Sequence, residues 1–266
     1  MLLRNFCTAL VLLITGPSLA HEFWLDPEDF TLETGQELNV DIRVGQNFSG
    51  NAYSFNPQSH FDFSITDSAG KHPIDGRLGD RPSVQLVPEN SGLLVLNHFS
   101  ISQRVTYDEA GKFESFIASK GLDWVLEQHR ARGLPDTGFS EGYTRFAKSL
   151  VAVDGGAGQD SLTGMPFELL ALANPYTDDI SNGLPVQLFY NGVPMPNIQI
   201  DIFNRTEGGI TKTHVNTDAN GRAIIPVQNG VYLINAVHMI LPTSEEIQRT
   251  SAVWHSLWAS MTFEIE

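Results

Sequence analysis

Cysteine is almost missing from this chain. The one example, Cys7, lies within the first 20 residues. Everything downstream can form neither a disulfide nor a thiolate metal centre, so any metal site there must use nitrogen and oxygen donors. Positive charge is also scarce. Lys and Arg number 16 against 31 Asp and Glu, a formal charge of −15. Such a balance argues against nucleic acid and against anionic membrane surfaces as partners, and fits solubility. Beyond residue 20 there is no apolar run of 18 residues, so no membrane span is expected. Also absent are a Gly-x-Ser-x-Gly elbow, a P-loop, a dinucleotide fingerprint and a His pair at i, i+4. The acidic Thr177-Asp178-Asp179 lacks EF-hand spacing. Carboxylates are plentiful, but no two stand out as a glycosidase pair. No catalytic residue is therefore assigned.

What is present begins with residues 1–20, MLLRNFCTALVLLITGPSLA. One basic residue, a short apolar run and Ser18-Leu19-Ala20 form the pattern of a secretory signal peptide. Cleavage after Ala20 would make His21 the first mature residue and place the protein in the periplasm. An N-terminal histidine offers its α-amine and ring Nδ1 to one metal. An α-amine has a pKa near ~7.7–8.0, well below lysine, so it loses its proton to a metal at modest cost.

The remainder reads as mainly β, with 41% hydrophobic and 18% charged residues, as a folded globular chain requires. Residues 37–45 and 60–67 alternate apolar and polar. So do 184–190, 197–204, 231–239 and 252–266. Residues 112–132 read as helix interrupted near Gly121 and ended by Gly133 and Pro135, and 141–148 read as a further helical turn. The Gly-rich stretch 154–164 is the best boundary. The expected fold is two antiparallel β-sandwich domains, Ig-like or prealbumin-like. The first covers 21–155, with a short helical insertion at about 112–148, and the second covers 165–266. Thr217-Asp218-Ala219-Asn220-Gly221 reads as a hairpin turn.

Histidine is the residue type left that favours a transition metal, and there are eight. His21 is the leading candidate. His238 shares strand parity with Tyr232, Ile234 and Ala236, and is the candidate least committed to an apolar face. Together they would give three nitrogens, a tetragonal set suited to Cu(II) or Ni(II). His255 and His98 are weaker candidates. His255 keeps company with the apolar Leu257, Ala259 and Met261, and His98 ends an apolar strand, with His60 at the start of another. His72, His129 and His214 read as surface residues.

Three segments carry a resemblance: His21-Glu22-Phe23-Trp24-Leu25, residues 141–150 (EGYTRFAKSL) and residues 254–263 (WHSLWASMTF). They resemble a bacterial family of secreted proteins known as a domain of unknown function and labelled NikM-like, for nickel uptake. The resemblance implies a Gram-negative periplasmic protein linked to divalent-metal handling; the expected ion is nickel, cobalt or copper. Its implied partner is a metal transporter or outer-membrane receptor. Residues 184–238 are also similar to prealbumin-like accessory sandwiches. The terminal histidine on a β-sandwich resembles the copper histidine brace of polysaccharide monooxygenases and some copper chaperones. Three functions follow as alternatives: metal uptake or delivery, a copper-dependent oxidoreductase, and a metal-free interaction or carbohydrate-binding module.

Overall fold

The computed structural model describes residues 21–266. The expected signal peptide lies outside the described residues. The fold is mainly β, with three helices among the described residues, and none of these helices is long and apolar enough to cross a membrane.

The backbone of the fold is a ten-stranded sheet. Its central pair is Phe139–Val153 and Ala252–Ile265, which run parallel from Ser140↔Ala252 to Ser149↔Thr262. These strands of 15 and 14 residues are more than twice the usual length of about 5–6. On the Ala252–Ile265 side the sheet continues through Gly230–Ile240, Gln199–Thr206 and Gly209–Asn216. On the Phe139–Val153 side it continues through Gly92–Ser100, His60–Asp67 and Gly70–Pro73.

Side-chain alternation gives this sheet two apolar faces. Phe146 and Leu150 point to one face, where they meet Phe167, Leu188 and Ile225 of a small sheet built on Phe167–Ala171, Leu184–Tyr190 and Arg222–Ile225. Ala147 and Val151 point to the other. There they meet Leu25 and Val40 of a second small sheet, built on Glu22–Pro27, Leu38–Gln46, Ser49–Tyr53 and Val84–Leu86. The result is a three-layer β-sandwich.

The expected division at 154–164 does not separate two sandwiches, because the longest strands on its two sides pair with each other. Strand pairing is non-local, and a Gly-rich loop in sequence does not interrupt a sheet that closes across it. The 217–221 turn likewise joins two sheets rather than forming a hairpin: Gly209–Asn216 lies in the large sheet and Arg222–Ile225 in a small one.

The helical insertion is Lys112–Ser119 and Asp123–Ala131, broken at Gly121 (φ 65°) and ended at Gly133 (φ 65°). Phe113, Phe116 and Ile117 recur at helical spacing, so they bury on one stripe against Tyr107, Phe139, Trp254 and Trp258. Phe116 stacks on Trp258 with centroids 5.6 Å apart. Residues 141–148, expected as a helical turn, are instead the middle of the Phe139–Val153 strand. Flanking strands pair with both its edges, which overrides local propensity. A third helix, Ser244–Thr250, lies in the second half, where none was expected. Thr243 caps it: its hydroxyl accepts from Glu246 N (3.2 Å), and Glu246 Oε2 accepts from Thr243 N (2.7 Å).

Candidate functional site

The strand Glu22–Pro27 is buried at every position. Its start is tied down from three directions. Lys120, at the end of the first helix, donates to Glu22 Oε1 (2.9 Å) and Asp201 Oδ2 (2.7 Å), all three being buried. Burial opposes the charge on Lys120, but Glu22 and Asp201 outweigh it and raise its proton affinity. Thr262 Oγ1 donates to Leu25 O (2.7 Å) from the central sheet. Arg145 Nη2 donates to the carbonyl of His21 (3.2 Å). His21 therefore opens a fixed strand rather than a frayed end.

His21 and Phe23 share parity and line one wall of a cleft of about 1140 Å³. The tight hairpin between Leu38–Gln46 and Ser49–Tyr53 forms another wall. Its two turn residues, Asn47 and Phe48, both have positive φ (54° and 57°). Below them Gly45 faces Gly50 so closely that a Cβ on Gly45 would meet Ser49 O at 2.0 Å. A side chain at either glycine would force the hairpin open and reshape the cleft.

His98, from Gly92–Ser100, lines the same cleft and is itself buried. Its ring lies 4.9 Å from Phe23 and 5.4 Å from His60, centroid to centroid. Burial first, then His60 and Arg145, push its pKa down to about 3. It is therefore a neutral imidazole at physiological pH. Its Nδ1 is enclosed and has no hydrogen-bond partner. The Nδ1 atoms of His60 and His255 are likewise without a hydrogen-bond partner, but of the three only His98 lines this cleft, and an imidazole nitrogen is the donor type that a transition metal takes.

A family model described as a domain of unknown function, DUF4198, matches residues 18–240. The chain belongs to the DUF4198 family. The DUF4198 match begins just before His21 and runs through 154–164. No curated protein matches the chain. Among solved structures, the crystal structure of a tetra-tandem repeat in the extending region of a large adhesion protein aligns with 93% of this chain. It does so at 13% identity and a TM-score of 0.22, and this DUF4198 chain spans 50% of that structure's length.

His238 does not join His21 in this DUF4198 fold. On Gly230–Ile240, Leu233 packs on Trp24 of the His21-bearing strand, whereas His238 has the opposite parity. Its ring lies against Tyr190 (5.3 Å) and Phe167 (6.0 Å), on the far face of the central sheet. The parity set expected for His238 is the one observed. That set faces the layer without His21, so the expected His21–His238 pair is corrected to two separate environments. His255 is fully buried, with Nε2 2.9 Å from Thr144 Oγ1 and Nδ1 3.1 Å from Glu246 Oε1. Its Nε2 is engaged, whereas Nδ1 lies at ion-pair distance from Glu246 without a hydrogen bond. His72 and His214 are exposed, as expected. His129 is not. It is buried, with Nδ1 accepting from Trp254 Nε1 (3.0 Å) and Nε2 2.9 Å from Pro135 O, a tie between helix and sheet.

Among the described residues, no three His, Cys, Asp or Glu side chains converge as a metal site. A site at His21 therefore needs the α-amine that only cleavage after Ala20 would create. Arg145 is the cleft residue that the sequence did not single out. Its strand position gives it the same face as Tyr143 and Ala147, which becomes informative only once the strand is known.

Proposed function

We propose that this chain is a periplasmic protein that binds nickel, cobalt or copper at His21 for uptake or delivery to a transporter or outer-membrane receptor. The observation that carries the reading is that His21 and His98 both line one cleft. His21 stands at the start of an immobilised strand, and His98 is a neutral, buried imidazole whose Nδ1 lacks a partner. After cleavage, His21 contributes its α-amine and Nδ1, and His98 contributes the third nitrogen. Such a set suits a tetragonal Cu(II) or Ni(II) ion. The fixed backbone of His21 lowers the ordering cost of binding.

The test is thermal unfolding of chain 21–266 with and without each metal. At 100 times its dissociation constant, a ligand specific for the native state adds about 2.7 kcal/mol. For a chain of this size that is a rise in Tm of about 5–11 °C. His21→Ala and His98→Ala should each remove the rise. Two extra residues before His21 should do the same, because they convert the amine to an amide. A rise that survives all three changes overturns the proposal.

A further inference from the structure

The cleft differs in charge from the rest of the molecule. Acidic residues outnumber basic ones almost two to one along the chain, yet the cleft is lined by Arg81, Arg104 and Arg145 and by no Asp or Glu. Arg145 is also set apart from the cations that pair with buried carboxylates. Arg43 and Arg205 pair with Asp26, Lys120 with Glu22 and Asp201, and Lys148 with Asp160 and Glu168. Arg145 has no ion pair among the described residues, and its enclosed Nε has no hydrogen-bond partner. Its hydrogen bond to the carbonyl of His21 uses one Nη.

The guanidinium is nevertheless aimed. Its carbon lies 4.6 Å from the Tyr143 ring centroid and 5.6 Å from that of Phe23. Tyr143 is itself fixed by donating to Gln103 Oε1 (2.7 Å). Held between these two rings, with one Nη spent on His21 and no carboxylate beside it, the guanidinium keeps unused N–H donors in the cleft wall. An unpaired arginine edge in a cavity is matched by a planar oxyanion with two oxygens.

We infer that the floor of the cleft is an anion site built on Arg145, which takes the carboxylate of a small organic molecule. The aromatic rings of Phe23, Tyr143 and Tyr53 suit an organic body behind the carboxylate, and the volume suits a small molecule rather than a polymer. A planar carboxylate is matched by this one fork, whereas a phosphate dianion would also have to engage Arg81 or Arg104. The inference goes beyond metal binding and needs no metal.

The test uses chain 21–266 freed of metal on a chelating resin, because a carboxylate chelator would itself compete. Benzoate and succinate are titrated by calorimetry, with benzamide as the neutral counterpart and inorganic phosphate as the alternative anion. The inference expects saturable binding of a carboxylate, none of benzamide, and phosphate at least about tenfold weaker. Arg145→Gln should weaken the carboxylate at least about tenfold, and Arg145→Lys less. If the Gln variant does not fold, the wild-type protein still decides. Its Arg145 Nε–H resonance, assigned by its loss in Arg145→Lys, should move downfield as carboxylate is added. No saturation by either carboxylate, equal binding of benzamide, equal or tighter binding of phosphate, or an unmoved Nε–H resonance would each overturn the inference. Because no metal is present, failure of the metal reading leaves these results untouched.

Discussion

Lys120→Met is the sharpest perturbation of the frame that holds His21. The lysine and both its carboxylate partners are buried, each less than a tenth exposed. Methionine keeps most of the stem volume, so the packing over Trp258, 5.2 Å from the ammonium, is largely retained. The charge is lost, and Glu22 is left without its cation. Asp201 keeps a second, more distant one, Lys212 at 3.5 Å. Removing one partner of a buried ion pair costs about 3–5 kcal/mol, because the other charge stays desolvated and unpaired. At about 2–4 °C per kcal/mol for a chain of this size, Tm should fall by about 6–20 °C. Urea unfolding of chain 21–266 measures the free energy directly. Adding Glu22→Gln to Lys120→Met should recover a large part of the loss, since the uncompensated charge is then gone. High salt should change little, because screening does not reach buried groups. A loss under about 1 kcal/mol, or no recovery on adding Glu22→Gln, would refute the argument that this cluster anchors the strand.

Three other outcomes follow from the same packing. Glu141 is buried, accepts from Tyr107 OH (2.8 Å) and Ser256 Oγ, and has its pKa raised by burial to about 7 against those two hydrogen bonds. Between about pH 4.5 and 7 the folded chain therefore holds more protons than the unfolded chain, and stability falls as pH rises through that window. Relative to wild type, Glu141→Gln should remove a slope worth up to about 3 kcal/mol, seen in urea midpoints across pH; parallel profiles would contradict this. Residues 165–266 expressed alone should show no cooperative unfolding by circular dichroism, because Ala252–Ile265 loses its partner Phe139–Val153; a cooperative transition would restore the two-domain division. His98→Phe should keep the aromatic packing with Phe23 and Phe63, and hence Tm, while abolishing metal-induced stabilisation; retained metal binding would remove His98 from the site.

Much of the β architecture is legible in the sequence wherever one face of a strand is apolar. His60–Asp67 and Leu184–Tyr190 have the bounds that alternation predicts, and Gly230–Ile240 differs from its expected bounds by one residue at each end. Gly209–Asn216 is an edge strand with seven of its eight residues exposed, so it has no apolar period to read. The Ser244–Thr250 helix was within reach, because Thr243-Ser244-Glu245-Glu246 is a capping-box pattern. The association of the two halves was not, because alternation does not say which strand pairs with which. His238 shows the same limit at the site. Its parity follows from period two, but the central sheet buries both faces, and period two alone does not say which layer holds His21. In the sequence His98 reads as the end of an apolar strand and as one of the weaker metal candidates. Its orphaned nitrogen is a property of the packed interior and leaves no trace in the sequence.

The most direct test of metal binding at His21 is anomalous diffraction from crystals of chain 21–266 grown with Cu(II). Data are collected on either side of the copper absorption edge. The account predicts one dominant peak in the cleft, about 2 Å from the α-amine and Nδ1 of His21 and from Nδ1 of His98, the usual metal–nitrogen distance. A dominant peak at an exposed histidine such as His72 or His214, or no peak in the cleft at saturating copper, would contradict it.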